Sequence, residues 1–450
     1  MAPGPPETGG HVLPFVPQAR RPAGLRRDDP GRGLPQGPGR VRDQAGRPLR
    51  GGAPVSLRDL FLLEPGIVFL NHGSFGACAL PVFEAYQAWQ RELERRPVEF
   101  LGRRSAALLG ESLRSLAAFL DASPDRLVYL TNTTTGVNTV ARSLCLMPGD
   151  EVLTTDHEYG ACDNVWEHVC RRRGARYVRH PLPLPLPSPD VAADRVWDGV
   201  TPATRILYLS HVTSTTALVF PVGELCRRAR EAGILTVIDG AHAPGQTDLH
   251  LDALGADVYV GNCHKWLCAP KGSAFLYARP EIQDSLDAVV IGWGYGEGVA
   301  GHTAFDGYLG STPFLRRHQW QGTRDIAAFL SVPAAIAFQR EHHWDRVRAA
   351  CHDLAAETLD AVGSLTGLPP ISGPGGFLQM AALPVPPCDA ETLKSTLYDR
   401  FRIEVPVTGH GERLFVRVSV QGYNTRDDTG ALVDALKTLL AEGFFNSSHS

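Results

Sequence analysis

One lysine, Lys265, stands out among the residues whose chemistry is covalent. The 450-residue chain has four lysines among its 44 Lys and Arg residues, so arginine carries nearly every other positive charge. A lysine amine forms a Schiff base with an aldehyde once its pKa is lowered, whereas a guanidinium stays protonated. Lys265 ends the strand-like run Val-Tyr-Val-Gly-Asn-Cys-His-Lys. Taken alone, it is equally well explained as a surface lysine kept by chance.

Polar residues follow other strand-like runs. Thr133 and Thr134 lie between a strand and a helix predicted to start near Val137, where they would bind a phosphate or simply cap the helix. Asp239 ends the run Leu-Thr-Val-Ile-Asp, where a buried acid requires a partner such as a cationic ring nitrogen, or caps the following turn. His242 is either a donor to a ring hydroxyl or a structural histidine.

Three more side chains extend this pattern. Tyr159, after a strand-like run, would stack on a planar ligand or pack in the core. Thr323 places a hydroxyl at a helix start, and Arg417 is either a bidentate carboxylate clamp or an ordinary edge-strand arginine. Together the candidates describe a phosphate, an aromatic ring, a pyridine nitrogen, an aldehyde and a carboxylate. Pyridoxal phosphate (PLP) has the first four, and an amino-acid substrate supplies the last.

The surrounding elements alternate between helix and short apolar strand from about residue 76, which indicates a mostly parallel sheet with helices on both faces. Ligands bind outside the carboxyl ends of the strands in such α/β sheets. We predict a large domain over residues 53–320 and a smaller α+β domain over residues 321–450. A helix is predicted over Ile282–Val290, followed by a long loop rich in Gly and aromatic residues over Gly292–Pro313. The predicted strands of the large sheet are Leu127–Leu130, Glu151–Thr155, Arg176–Arg179, Arg205–Ser210, Leu235–Asp239, Asp257–Gly261 and Ser273–Tyr277.

Composition narrows the class of protein. A net charge of −4 without a basic stripe disfavours nucleic acid as a partner. Nine scattered cysteines without paired spacing indicate a reducing cytoplasm, and they predict no metal site. No run approaches the ~18–20 apolar residues of a membrane span. Residues 1–52, rich in Pro, Gly and Arg, are predicted to be disordered, and an upstream start codon explains them better than a functional tail.

In this order, the motifs resemble the class V aminotransferase family of PLP fold type I, and within it the isopenicillin N epimerase-like proteins. The resemblance covers about residues 53–443. It implies an α/β fold with a seven-stranded large domain, a small amino-acid substrate, and a homodimer with shared active sites. The motifs that carry it are Phe69-Leu-Asn-His-Gly-Ser-Phe-Gly76, Asp239-Gly-Ala-His-Ala-Pro-Gly245, His264-Lys-Trp, Gly322-Thr-Arg-Asp325 and Arg417-Val-Ser-Val-Gln-Gly-Tyr-Asn-Thr425.

The resemblance also implies a role for each candidate. Lys265 matches the Schiff-base lysine, Asp239 the partner of the pyridine nitrogen, and Arg417 the arginine that binds the substrate carboxylate. The residues around the cofactor are the phosphate ligands Thr133, Thr134 and His264, the stacking residue Tyr159, the ring-hydroxyl partner His242, and Thr323, which would reach the phosphate of the neighbouring subunit. The substrate side is lined by Asn71 and His72.

The hypothesis is that Lys265 holds PLP and, once displaced by substrate, removes the α-proton. Reprotonation on the opposite face makes the enzyme an epimerase, which we predict. Loss of a β-substituent would make it a C–S lyase, and protonation at the cofactor carbon an aminotransferase. A cysteine desulfurase is disfavoured because the stretch Glu404–Arg413 has no cysteine. Retention of Lys265 and Asp239 disfavours a silent scaffold, and the missing GxGxxG after the first strand disfavours a nicotinamide dehydrogenase.

Overall fold

The structure is a computed structural model that describes residues 56–295 and 310–446. All of these residues belong to one compact unit, Arg42–Ser450. The predictions for residues 1–52, and for most of the loop Gly292–Pro313, lie outside the described part of the chain.

Twelve strands occur in the described residues, and they include all seven predicted for the large sheet. That sheet has the order β2-β8-β7-β6-β5-β3-β4, and every pairing is parallel except the two that β8 makes. The strands are β1 Val68–Phe69, β2 Leu127–Leu130, β3 Glu151–Thr155, β4 Arg176–His180, β5 Thr204–Ser210, β6 Leu235–Gly240, β7 Val258–Asn262, β8 Ala274–Ala278, β9 Met380–Val385, β10 Ile403–Glu404, β11 Val407–His410 and β12 Arg413–Ser419.

Helices pack against this sheet and bury the side chains on its strands. This burial explains why the strand sequences are continuous apolar runs. Every residue of β2, β3, β7 and β8 is buried, whereas the edge strand β4 is partly exposed. The helices are α1 His72–Phe75, α2 Leu80–Arg95, α3 Pro97–Glu99, α4 Ser105–Phe119, α5 Thr133–Ser143, α6 Gly160–Arg173, α7 Pro189–Trp197, α8 Val222–Glu231, α9 Leu251–Leu254, α10 Pro280–Gln283, α11 Pro313–Gln319, α12 Ala327–Leu330, α13 Val332–Glu341, α14 Trp344–Thr366, α15 Ala390–Phe401 and α16 Arg426–Ala441.

A second, antiparallel sheet of order β11-β12-β9 lies towards the C-terminus. A separate apolar cluster joins it to α15 and α16 through residues such as Val416, Leu397 and Leu436. The short β1 pairs in parallel with β10, so the N-terminal motif is attached to this region. The boundary between residues 320 and 321 remains a prediction.

Two predicted helices differ from the structure. The helix expected over Ile282–Val290 is limited to α10, and Val289 and Val290 are exposed rather than packed on a helix face. The helix expected near Val137 begins at Thr133, because the Asn132 side chain accepts a hydrogen bond from the Thr135 amide and caps the first turn.

Candidate active site

Lys265 lies in a tight loop between β7 and β8. The loop is closed by backbone bonds, including one from the Cys268 amide to the Lys265 carbonyl oxygen at 3.0 Å. The Lys265 Nζ lies 3.1 Å from Nε2 of His242. Burial, together with the positive charge of Arg417, lowers the pKa of the Lys265 amine from 10.5 to about 8. Part of the Lys265 population is therefore unprotonated, and so nucleophilic, near pH 7.

The N-terminal motif Phe69–Gly76 contacts the backbone of the Lys265 loop. His72 is fully buried, and its Nε2 donates to the Lys265 carbonyl oxygen at 3.0 Å while its Nδ1 lies 2.9 Å from the Tyr423 hydroxyl. Gly76 has a φ of +72°, and a Cβ built on it would lie 2.0 Å from the His264 carbonyl oxygen. The structure therefore does not bring His72 to the substrate side, where the resemblance placed it; the imidazole supports Lys265 instead.

Asp239 is the penultimate residue of β6 and pairs with Val260 of β7, the strand that leads into the Lys265 loop. Its carboxylate accepts hydrogen bonds from the Ala241 amide at 2.9 Å, the Tyr208 hydroxyl at 3.2 Å and the Cys162 thiol at 3.7 Å. Burial raises the pKa of Asp239. The three hydrogen bonds and the nearby positive charge of Lys265 each act against that rise. No ion pair among residues 56–295 and 310–446 includes Asp239, so a cationic ring nitrogen would give the buried acid its missing counter-charge.

The start of α5 contains an unsatisfied hydroxyl. The Thr133 amide donates to Asn262 Oδ1 at 3.0 Å, whereas the buried Thr133 hydroxyl has no hydrogen-bond partner among residues 56–295 and 310–446. Thr134 lines an open cleft of about 400 Å³ beside this turn. An orphaned buried hydroxyl at a helix N-terminus fits one oxygen of a phosphate group.

His264, next to the lysine, has one ring nitrogen available for a phosphate. Its Nδ1 donates to the Ser273 carbonyl oxygen at 2.9 Å. Burial lowers the pKa of His264 to about 4, so the imidazole is neutral without a ligand. A nearby dianion would favour the protonated form, in which Nε2 donates as well.

Arg417 lies on β12 and is only 4% exposed. Its Nη1 donates to the Ser214 carbonyl oxygen at 2.5 Å, and its Nη2 donates to the Ser74 hydroxyl at 3.1 Å. Ser74 in turn donates to Asn71 Oδ1 at 2.5 Å. Burial lowers the pKa of Arg417 to about 10, which leaves it charged. The structure thus brings Arg417 and Asn71 together, close enough to Lys265 for the Arg417 charge to lower the lysine pKa.

Two predicted residues lie at the surface. Tyr159 follows β3 at the start of α6 and is 47% exposed, so its ring is accessible for stacking. Thr323 is exposed, and within the described part of the chain no hydrogen bond joins it to the other predicted site residues.

One group of possible metal ligands, Asp156, His157 and His410, occurs in the described residues. Both ring nitrogens of His157 are already engaged, by the Thr216 hydroxyl and the Leu182 carbonyl oxygen, each at 3.0 Å. This imidazole therefore has no free lone pair to offer a cation.

Three functional contacts were not found from the sequence. Tyr208 donates to Asp239, Ser74 joins Arg417 to Asn71, and the Trp266 indole donates to Nδ1 of His242 at 3.3 Å. Trp266 and Ser74 do lie within motifs that the sequence singled out, which was the available signal. The contact of Tyr208 was not predicted, because Tyr208 lies within the largely apolar sequence of the buried strand β5.

A lysine of lowered pKa, a buried acid without a counter-charge and an orphaned hydroxyl at a helix start lie at the carboxyl edge of one α/β sheet. Fold and site together define a PLP enzyme of fold type I. Residues 82–432 match the family described as aminotransferase class-V. The chain belongs to the class V aminotransferase family.

Comparison with individual proteins agrees. The chain is 40% identical over 391 residues to isopenicillin N epimerase of Amycolatopsis lactamdurans. The matched region covers 86% of this chain and 98% of that protein. It is 30% identical to putative L-cysteine desulfhydrase 1 of Oryza sativa subsp. japonica, covering 85% of each. A solved structure of a C-DES variant, with glycine covalently linked to its PLP cofactor, superposes with a TM-score of 0.74 at 20% identity, covering 86% of this chain and 99% of that one. This last likeness shows the fold.

Proposed function

We propose that this protein inverts the configuration at the α-carbon of an amino-acid substrate, with isopenicillin N as the first candidate. The observation that carries α-carbon chemistry is the Lys265 amine of lowered pKa beside the Arg417 guanidinium. The similarity to isopenicillin N epimerase at 40% identity, over nearly the whole of that protein, favours epimerisation among the reactions open to such a site.

Pyridoxal phosphate is the cofactor, and the residues present fit it. Asp239 would hold the ring nitrogen, the Thr133 hydroxyl and His264 the phosphate, Tyr159 the ring face and Lys265 the aldehyde carbon. When bound, the cofactor supplies an electron sink for the pair left at the substrate α-carbon.

The protein's own groups then divide the work. Arg417 binds the substrate carboxylate and so fixes which bond at the α-carbon faces Lys265. The Lys265 amine, largely unprotonated above a pH of about 8, accepts the α-proton. Asp239 keeps a proton on the ring nitrogen because its buried carboxylate is stabilised by a cation. Inversion then requires that a proton return on the face opposite to the one it left.

A second candidate is a PLP-dependent C–S lyase, which the similarity to a putative L-cysteine desulfhydrase favours. An aminotransferase is the third. A cysteine desulfurase remains disfavoured, because residues 404–413 before and at the start of β12 contain no cysteine.

We further propose a homodimer in a reducing cytoplasm. The supporting observations are an exposed apolar stretch at Val289–Ile291, the exposed Thr323, and nine cysteines that are all free. No described helix has the length and apolarity needed to cross a membrane. Analytical ultracentrifugation at micromolar protein concentration tests the homodimer by measuring its mass. A monomer with full activity would refute a dimer with shared active sites.

The test of the reaction uses the PLP-loaded protein with isopenicillin N in deuterium oxide. Epimerisation gives a deuterium label at the α-carbon of an inverted product, with no pyruvate or ammonia. With L-cysteine, release of pyruvate, ammonia and sulfide would instead assign the lyase. Lys265→Ala is expected to lose both the visible cofactor absorbance and turnover, whereas Lys394→Ala, a surface lysine on α15, is expected to keep both. Full turnover by the Lys265 variant would overturn the proposal.

A further inference from the structure

His242 uses both of its ring nitrogens in the site. The Trp266 indole Nε1 lies 3.3 Å from Nδ1, and the Lys265 Nζ lies 3.1 Å from Nε2. His242 is 2% exposed and Trp266 is fully buried, so water does not substitute for either contact. The state of this imidazole is therefore decided by its two protein partners.

Trp266 determines where the His242 proton resides. An indole N–H donates and never accepts, so Nδ1 of His242 must be the acceptor. The single proton of the neutral imidazole then lies on Nε2. An imidazolium would put two N–H donors face to face, and burial with the charges of Lys265 and Arg417 also keeps the pKa of His242 well below its ordinary value.

This tautomer determines the state of Lys265. The Nε2–H group points at Nζ, so Nζ must accept the hydrogen bond, and only a neutral amine has the lone pair to do so. An ammonium at the same place would leave two buried donors opposed. The hydrogen-bond chain therefore runs in one direction, from the Trp266 indole to the His242 imidazole to the Lys265 amine.

We propose that Trp266 is a positioning residue that stabilises the free amine of Lys265, relative to its ammonium form, through the tautomer of His242. This rests on the proposed function only in taking Lys265 as the residue that captures PLP. In that capture the Nζ lone pair adds to the aldehyde carbon, both amine protons leave with the carbonyl oxygen as water, and a carbon–nitrogen double bond remains. No oxidant or reductant is needed, but an unprotonated amine is.

The first test measures the cofactor-free wild-type protein and needs a variant only to assign signals. Nitrogen-15 NMR of protein labelled at histidine distinguishes the two neutral tautomers and the imidazolium, and His242→Gln identifies the signals of His242. We expect an unprotonated Nδ1 and a protonated Nε2 at pH 9, where most of Lys265, with its pKa of about 8, is the free amine. A proton on Nδ1, or on both nitrogens, would overturn the proposal. Because no cofactor or substrate is present, this result leaves the proposed function untouched.

The second test measures how fast added PLP is captured across a pH series. Trp266→Phe removes the indole N–H and lets His242 accept from an ammonium, so the pKa of Lys265 should rise and the midpoint should move up by roughly half a pH unit to one unit. The matched control is Trp344→Phe, because the buried Trp344 indole N–H has no hydrogen-bond partner in the described part of the chain. An unmoved midpoint in a folded Trp266→Phe protein, or an equal shift in the control, would refute the proposal.

These outcomes remain informative if Trp266→Phe does not fold, because the NMR signature of the wild-type protein then decides alone. Failure of the wild-type protein to capture PLP at any pH would count against the proposed function and, with it, the capture step.

Discussion

Replacing Arg417 with lysine tests whether this arginine binds the substrate carboxylate. The substitution keeps the positive charge but removes the planar fork. In the structure the guanidinium already donates to the Ser214 carbonyl oxygen, the Ser214 hydroxyl and the Ser74 hydroxyl. Of about five N–H donors in a guanidinium, roughly two therefore remain for a ligand, which is the number a bidentate carboxylate takes.

The magnitude follows from that count. A lysine ammonium has about three donors on one atom, so it cannot satisfy both serines and two carboxylate oxygens. Losing one charge-assisted hydrogen bond to the substrate costs about 1.5–3 kcal/mol. At about 1.4 kcal/mol per factor of ten, kcat/KM for isopenicillin N should fall roughly 10- to 150-fold. Most of the loss should appear in KM, because the bond is made in the ground state as well as in the transition state.

Steady-state kinetics with the PLP-loaded variant measures this effect, and an unchanged cofactor absorbance shows that the site is intact. Arg413→Lys is the matched control, because Arg413 lies on the same strand but is exposed, with its side chain donating to the Leu184 carbonyl oxygen. A KM within twofold of the wild-type value for Arg417→Lys, or an equal loss in the control, would refute the assignment.

Three further predictions concern the site and its support. Thr133→Val should leave the free energy of unfolding of the cofactor-free protein unchanged, because the hydroxyl has no partner, but should weaken PLP binding by roughly tenfold in a titration. Gly76→Ala should destabilise the protein by at least about 1–3 kcal/mol in urea unfolding, because its Cβ would collide with the His264 carbonyl oxygen, whereas the helical Gly430→Ala has open space and should stabilise. Burial lowers the pKa of His157 from 6.5 to about 4, so its imidazole binds more protons in the unfolded than in the folded state between those values. This one group should lower the free energy of unfolding by up to about 3 kcal/mol as pH drops from 6.5 to 4. Other buried histidines, such as His264, contribute over the same range, so His157→Gln should reduce the pH dependence in urea unfolding by the share of one histidine.

The large sheet was predictable because its strands are short apolar runs buried on both faces. Each of the seven predicted runs lies within one residue of the observed strand at both ends. The pair β1 and β10 was missed because two-residue strands carry no periodic pattern. The helix at Ile282–Val290 was predicted from apolar content, but Val289 and Val290 are exposed, so apolar composition there does not reflect burial in this chain.

The site was predictable in its residue types and less so in its contacts. Lys265 and Asp239 were predicted at the ends of strands and lie at the carboxyl edge of the large sheet, whereas Arg417, predicted within a strand, lies on β12 of the separate antiparallel sheet. The inward orientation of His72 was not predictable, because it depends on a bond to Tyr423, 351 residues away in sequence. Strand and helix patterns report only local neighbours, so such contacts are invisible to them.

The bonds of His72 also constrain when the protein can become an enzyme. One imidazole ties the Lys265 loop to both the N-terminal motif and Tyr423 near the C-terminus. At about 5–20 residues per second, a ribosome needs roughly ten to thirty seconds to travel from Lys265 to Tyr423. Once β8 has been made, early in that interval, every strand of the large sheet is synthesised while its lysine loop still lacks one of its two anchors. We therefore expect cofactor loading to be a late event in the life of the nascent chain, after the polypeptide is almost complete.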